Sequence, residues 1–277
     1  MSLSAKSVAV ITGAASGIGR ELALNLASQG VAGLAISDVN SDGLNETVEM
    51  LGDYDVDVLS STVDVSKRDD IQRFADETVK RFGRATHLIN NAGVGMVGRV
   101  EQLSIEDMEW MMAINFWGTV YGTTTFLPIL KKENLGHIVN LSSVFGFIAP
   151  PGQSAYCASK FAVRGFTECL RHELEGTSVL VSVVHPGGIK TNIVKNARRG
   201  KSATAEDMKI ADEMLDTLAK TTPKRAAETI VKGIKSKNPR ILIGMDARQI
   251  SLIHRMFPKR YFKIMDRIMG GMLSKYR

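Results

Sequence analysis

Cysteine is nearly absent from this sequence, with two residues, Cys157 and Cys169, in 277. They stand twelve apart in a segment that reads as one helix, a separation of about 18 Å along the axis. That is beyond the reach of a disulfide, so a disulfide-built scaffold is excluded and a reducing, cytoplasmic setting is expected. No run of eighteen apolar residues occurs, which excludes a membrane-spanning helix. The opening MSLSAKSVAV passes directly into an apolar strand pattern and carries no secretory signal features. The five histidines, His87, His137, His172, His185 and His254, lack ligand spacing, so no metal site is expected. Only His185 falls near the site argued below, and its simplest reading is a strand-end histidine. Internal repeats and low-complexity tracts are also missing. Excess charge is absent from most of the chain. The net charge is +6, and residues 246–277, with eight Lys or Arg against two Asp, carry all of it. A neutral body argues against a nucleic-acid partner.

What is present fits one large folded domain: 44% hydrophobic and 23% charged residues. Short apolar runs alternate with helical stretches. Strands are expected at 8–12, 33–38, 56–64, 86–90, 137–143, 179–184 and 240–244. Helices are expected at about 18–28, where Gly30 ends the first, then 42–50 and 69–81. This alternation is the signature of βαβ units. The expected fold class is α/β, a Rossmann-like doubly wound parallel sheet of about seven strands with helices on both faces. Residues 1–245 form the catalytic unit, and a segment at about 190–222 after strand six reads as a lid over a ligand or as a solvated loop with one helix.

Three motifs carry chemistry. TGAASGIG, Thr12 to Gly19, lies between an apolar strand and a helix. Gly13 permits the tight turn, Gly17 lets the backbone approach a diphosphate, and Gly19 lets the helix pack near the sheet. Asp38, at the end of strand two, suits the two hydroxyls of an adenosine ribose and repels a 2′-phosphate. Its alternative role is a cap on the next helix. Tyr156 and Lys160, four apart, share one helix face, where an ammonium lowers a phenol's pKa and makes it a usable acid–base group. That spacing alone is common on ordinary helix surfaces.

Taken together with Asp64-Val65, Asn90-Asn91-Ala92-Gly93, Asn115, Ser143 and Pro186-Gly187, the order and spacing of these motifs resemble the classical short-chain dehydrogenase/reductase family over about residues 5–245. The resemblance implies an NAD-dependent enzyme that interconverts a small-molecule secondary alcohol and its ketone. Tyr156 is implied as general acid–base, Lys160 as its partner and a ribose ligand, and Ser143, rather than Ser142, as the group that polarises the substrate oxygen. Asn115 is implied to help hold a relay water. Ser16, Gly17 and Ile18 would meet the diphosphate. Asp64 and Val65 would meet the adenine, and Asn91, Ala92 and Gly93 would line the ribose. Pro186, Gly187 and Ile189 would form the turn against the carboxamide, with Thr191 capping it. The helices at about 104–130 and 154–173 resemble the family's dimer-forming pair, which implies a homodimer or homotetramer. Two other readings stand beside this one: an NADPH-dependent carbonyl reductase, and a non-catalytic nucleotide-binding regulator on the same fold.

Many members of that family end soon after the seventh strand, whereas this chain continues as a basic amphipathic extension, 246–277. Ile250, Ile253 and Met256, then Tyr261, Ile264, Met265, Ile268 and Met272, recur at helical spacing, with Arg260, Lys263 and Arg267 opposite and Pro258 between the two pieces. Such a helix either lies on a membrane surface or guards a pocket for lipophilic substrates, or it packs on the sheet edge or a neighbouring subunit. Phe145, Phe147, Met96 and methionines of the lid would make such a pocket apolar.

Overall fold

The computed structural model describes residues 3–191, 193, 196–200, 204, 206, 209, 213, 219–271 and 273–276. Seven parallel strands form one sheet: β1 Val8–Thr12, β2 Gly33–Asp38, β3 Asp57–Thr62, β4 His87–Asn90, β5 Gly136–Leu141, β6 Val179–Pro186 and β7 Arg240–Ile243. Their order is β3-β2-β1-β4-β5-β6-β7, the doubly wound arrangement expected. β3 is shorter than the sequence pattern suggests, and β6 runs two residues further, into the proline that starts the next turn.

The strands are apolar because both faces are covered. Ala9 and Ile11 of β1 join one core, with Leu22 and Leu26 of α1 (Gly17–Ser28), Leu44 of α2 (Ser41–Leu51) and Ile230 further along the chain. Val10 faces the other way, toward Phe74 of α3 (Arg68–Phe82) and Phe126, which meet edge to face at 6.2 Å. Local signals set the helix ends. Asn40 caps α2 by accepting from Gly43 N, and Gly83, at φ 71°, ends α3.

The helix expected over 104–130 is not continuous. It divides into α4 (Ile105–Met112), a π-helical turn at Ala113–Trp117 and α5 (Gly118–Lys132). The wide turn coincides with Asn115, whose side chain is tied to neighbouring segments. α6 spans Ser154–Glu173 and carries Tyr156, Lys160 and both cysteines. α7 is Pro223–Lys235, with Thr222 as its cap.

Of the segment at 190–222, Arg198–Arg199 pair in parallel with Met96–Val97, and Ile189 bridges to Thr221. Met208 and Met214, the lid methionines, lie outside the described residues, as does Met272.

The extension forms α8 (Met245–Met256) and α9 (Tyr261–Ile268). Ala247, Ile250, Met265 and Leu273 are buried against Val144, Phe147 and Ile148, with Ile253 and Tyr261 beside them. Met256 and Ile268, expected on the same stripe, instead face outward at 61% and 69% exposure. The stripe is therefore split. A strict helical repeat drifts around the axis, and the body covers only part of it.

Three buried histidines lie in the sheet, and two of them, His87 and His137, are register partners on adjacent strands. His137 Nε2 is 2.7 Å from Ser182 Oγ, which donates to Asn238 O, so the ring supplies the proton between them. Burial holds His137 down to about 3 and His87 to about 4. Both stay neutral in the fold, while the unfolded chain takes up protons below about pH 6.5. Their contribution to stability is thus intact above that pH and is lost as pH falls toward the folded values. The melting temperature is expected to decline from about pH 6.5 downward. His137→Gln should flatten that decline, and an unchanged slope in differential scanning fluorimetry would contradict this account.

Candidate active site

The chain crosses from β3 back over β1 to β4, and this reversal opens a crevice at the carboxyl ends of the strands. A cavity of about 490 Å³ runs from it, past Tyr156, to the C-terminal helices. Of the residues expected in the site, Gly13, Ser16, Gly17, Ile18, Asp38, Asp64, Val65, Asn91, Ala92, Gly93, Ser143, Tyr156, Lys160, Pro186, Gly187, Ile189 and Thr191 all line it. Gly19 and Asn115 stand behind its wall.

At the nucleotide end, the first turn of α1 points into the crevice. Ser16, its N-cap residue, makes no side-chain cap bond, which leaves the first-turn N–H groups for an anion. Gly13 sits at φ 72°, and a Cβ there would lie 2.7 Å from Ala92 Cα. A Cβ on Gly17 would project to within 3.3 Å of Thr191 Cγ2, so glycine keeps the space between the two walls open. Bare backbone, a helix N-terminus and a carboxylate at the far end fit a dinucleotide.

Asp38 does not cap α2; Asn40 does. The Asp38 carboxylate accepts from Ala15 N at 2.9 Å and Asn40 N at 3.0 Å, which ties the glycine loop to the end of β2. Asp64 accepts from Ser66 N and Ser66 Oγ. Asn91 donates to Thr12 O and Gly13 O, bridging β1 and β4.

At the reactive end, Ser143 and Tyr156 both line the cavity, and the serine hydroxyl is close enough to the phenol to favour its charged form. Ser142 is turned away and donates to Lys160 O at 2.8 Å. Lys160 is buried, donates through Nζ to Leu141 O at 3.1 Å, and lies 5.7 Å from the Tyr156 ring centre. Asn115 donates to Val94 O and Ser159 Oγ, each at 3.1 Å, and accepts from Val94 N at 2.8 Å. Its side chain thus pins the Gly93–Val94 segment to α6.

The electrostatics correct one expectation. The Tyr156 phenol is not lowered on balance. Burial around its hydroxyl pushes it up to about 12, against the opposing pull of the Ser143 hydroxyl, and burial brings Lys160 down to about 8. Desolvation disfavours both charged forms. At neutral pH the pair is a phenol beside an ammonium, ready to donate. Cys157, next to Tyr156, is pushed up to about 12 by burial and is no nucleophile.

Sequence reasoning missed Asp246. Its Oδ2 accepts from Gly188 N at 2.7 Å, and a Cβ on Gly187 would lie 2.1 Å from it. It fell at the start of the extension, 58 residues from its partner, and no local motif marks it. Met269 and Leu273 also line the cavity unannounced.

Comparison with known proteins agrees with this geometry. Residues 7–202 match the model of the short chain dehydrogenase family. The Mycobacterium tuberculosis protein SadH, named as an oxidoreductase, is 45% identical over 260 residues, 93% of each chain. A short-chain dehydrogenase/reductase from Burkholderia phymatum, solved in complex with NAD, superposes with a TM-score of 0.80 at 34% identity, covering 86% of this chain and 88% of its own. Arabidopsis thaliana 11-beta-hydroxysteroid dehydrogenase 1A is 36% identical over 83% of this chain and 66% of its own. This chain belongs to the short-chain dehydrogenase/reductase family of oxidoreductases, and its crevice is built for a nicotinamide cofactor.

Gly93 tests the arrangement directly. A Cβ there would stand 3.2 Å from Asn115 Oδ1 and 3.3 Å from Lys160 Nζ, and the residue is not among those at positive φ. Gly93→Ala is expected to fold with nearly unchanged melting temperature yet turn over about a hundred-fold more slowly, the effect of a small displacement among reacting groups. Wild-type turnover in this variant would refute the placement of Lys160.

Proposed function

We propose that the protein interconverts a bulky, apolar secondary alcohol and the corresponding ketone, with NAD as hydride carrier and Tyr156 as general acid–base. The observation that carries this reading is the Ser143–Tyr156 hydroxyl pair, with Lys160 buried beside it, at the junction of the nucleotide crevice and an apolar chamber. The nicotinamide ring supplies or accepts the hydride when bound. The chain's own work is orientation and proton transfer. Ser143 Oγ donates to the oxygen that gains negative charge, and Tyr156 delivers its phenolic proton to it in reduction or recovers that proton in oxidation. Lys160, held against Leu141 O, keeps positive charge near the tyrosine oxygen, which favours the deprotonated form that oxidation requires.

NAD rather than NADP is supported by Asp38. Its neighbours along the cavity are Val39 and Asn40, and Lys160, far from it in the chain, is the only cation among the described lining residues. A 2′-phosphate would face a carboxylate with no compensating charge, which weighs against an NADPH-dependent carbonyl reductase. The full set of Asn115, Ser143, Tyr156 and Lys160 weighs against a regulator without catalysis. The chamber walls of Met96, Val144, Phe145, Ile148, Ile250 and Met265 favour a lipophilic substrate.

Assembly as a homodimer or homotetramer is supported by Trp117 and Phe161, 46% and 42% exposed on the helices expected to pair. Cytoplasmic residence with peripheral contact at a membrane is the proposed setting. No helix among the described residues is long and apolar enough to cross one. The outward faces of α8 and α9 present Leu252, Met256 and Ile268 among Arg248, Arg255, Lys263 and Arg267. Charge of one sign interleaved with apolar side chains suits an anionic lipid surface.

Tyr156→Phe is expected to lower turnover by several orders of magnitude, about the weight of general acid–base catalysis, with cofactor affinity retained. In the same assay the wild-type protein should show the higher kcat/KM with NAD(H). Near-normal turnover of the variant would sink the tyrosine assignment, and a preference for NADP(H) would sink that of Asp38. Leu252→Glu with Ile268→Glu should abolish salt-sensitive co-sedimentation with phosphatidylglycerol vesicles at unchanged melting temperature. Truncation before Asp246 should instead lower the melting temperature sharply, because the buried side chains of Ile250, Met265 and Leu273, at roughly 1.5–3 kcal/mol each, are lost. Vesicle binding that survives the double substitution would exclude these faces as the anchor.

A further inference from the structure

One buried group near the reactive end has no part in the proton transfer described. His185, at the end of β6, is wholly buried. Its Nδ1 lies 2.8 Å from Ser143 O. A carbonyl only accepts, so the ring proton sits on Nδ1. Burial brings the ring down to about 4, so it is neutral at physiological pH and Nε2 is a bare lone pair. Nε2 has no hydrogen-bond partner among the described residues, and Phe147 packs against the ring at 5.0 Å. An apolar side chain of similar size would fill this place without stranding a nitrogen. It would leave the Ser143 carbonyl without this donor instead, so stability alone does not single out histidine.

We propose that His185 is a positioning residue for the reaction, fixing the backbone of Ser143 through its carbonyl so that the serine hydroxyl meets Tyr156 and the substrate oxygen. Ser143 is extended at φ −165°, and its Oγ accepts from Phe145 N at 3.1 Å. Without the imidazole, Ser143 loses its own tie to the end of β6, and the Ser142 N–Val184 O bond one residue earlier is the last that holds the two together. His185 also immediately precedes Pro186-Gly187, so one ring sets the spacing between the serine side and the cofactor side of the cavity. This inference rests on the proposed roles of Ser143 and Tyr156.

Two substitutions and one spectrum test it. His185→Leu removes the donor and keeps the bulk. His185→Asn places an amide N–H where Nδ1 stood. His185→Leu is expected to lose about ten- to a hundred-fold in kcat, with the KM and dissociation constant for the cofactor unchanged, and His185→Asn to recover most of the loss. A purely structural role would move melting temperature and leave kcat alone. In wild-type protein labelled with 15N-histidine, NMR should report His185 as the neutral Nδ1–H tautomer. That spectrum needs no substrate, so it stands even if the Tyr156→Phe result removes the catalytic reading. Wild-type kcat in His185→Leu, equal loss in His185→Asn, or an Nε2–H tautomer would each overturn the proposal.

Discussion

Where β1 and β4 diverge at their carboxyl ends, the Asn91 amide takes up the carbonyls of Thr12 and Gly13. Thr12 Oγ1 answers by accepting from Asn91 N and Ala92 N. This small knot holds the crevice open at a fixed width. Gly13 fits only because it has no side chain to collide with Ala92, α1 begins from that turn, and Gly93 continues toward Lys160. Loosening the knot would misplace the diphosphate and reactive ends together.

The reactive end is governed by burial more than by attraction. Tyr156 and Lys160 are each pushed toward neutrality, which leaves the pair poised as proton donors in water-poor surroundings. The same dryness extends to the substrate side, where residues of α8 and α9 replace solvent as the chamber wall. The extension therefore contributes an inner face to the active site and an outer face to the surroundings, and neither face alone describes it.

Much of this was legible in the residues. Parallel strands buried on both sides read as plain apolar runs, and the glycine turn, Asp38 and the Tyr156–Lys160 pair are local patterns, so the doubly wound class and, through the family resemblance, the nucleotide-side lining followed. What stayed hidden depends on contacts distant in sequence. Asp246 reaches a backbone N–H 58 residues away. The π turn at Asn115 falls where its side chain reaches Val94 and Ser159, both distant in sequence. The direction of the tyrosine shift needed the degree of burial, which no spacing reveals. The division of the C-terminal stripe into packed and exposed residues needed the shape of the surface beneath it.

The Asp246–Gly188 contact also makes one wall of the cavity depend on the far end of the chain. The Pro186–Ile189 turn has its carboxylate only while α8 stays docked, whereas the glycine turn leans on α1 and, through it, on α7. A disturbance that lifts α8 would therefore be felt at that turn before it reached the glycine loop.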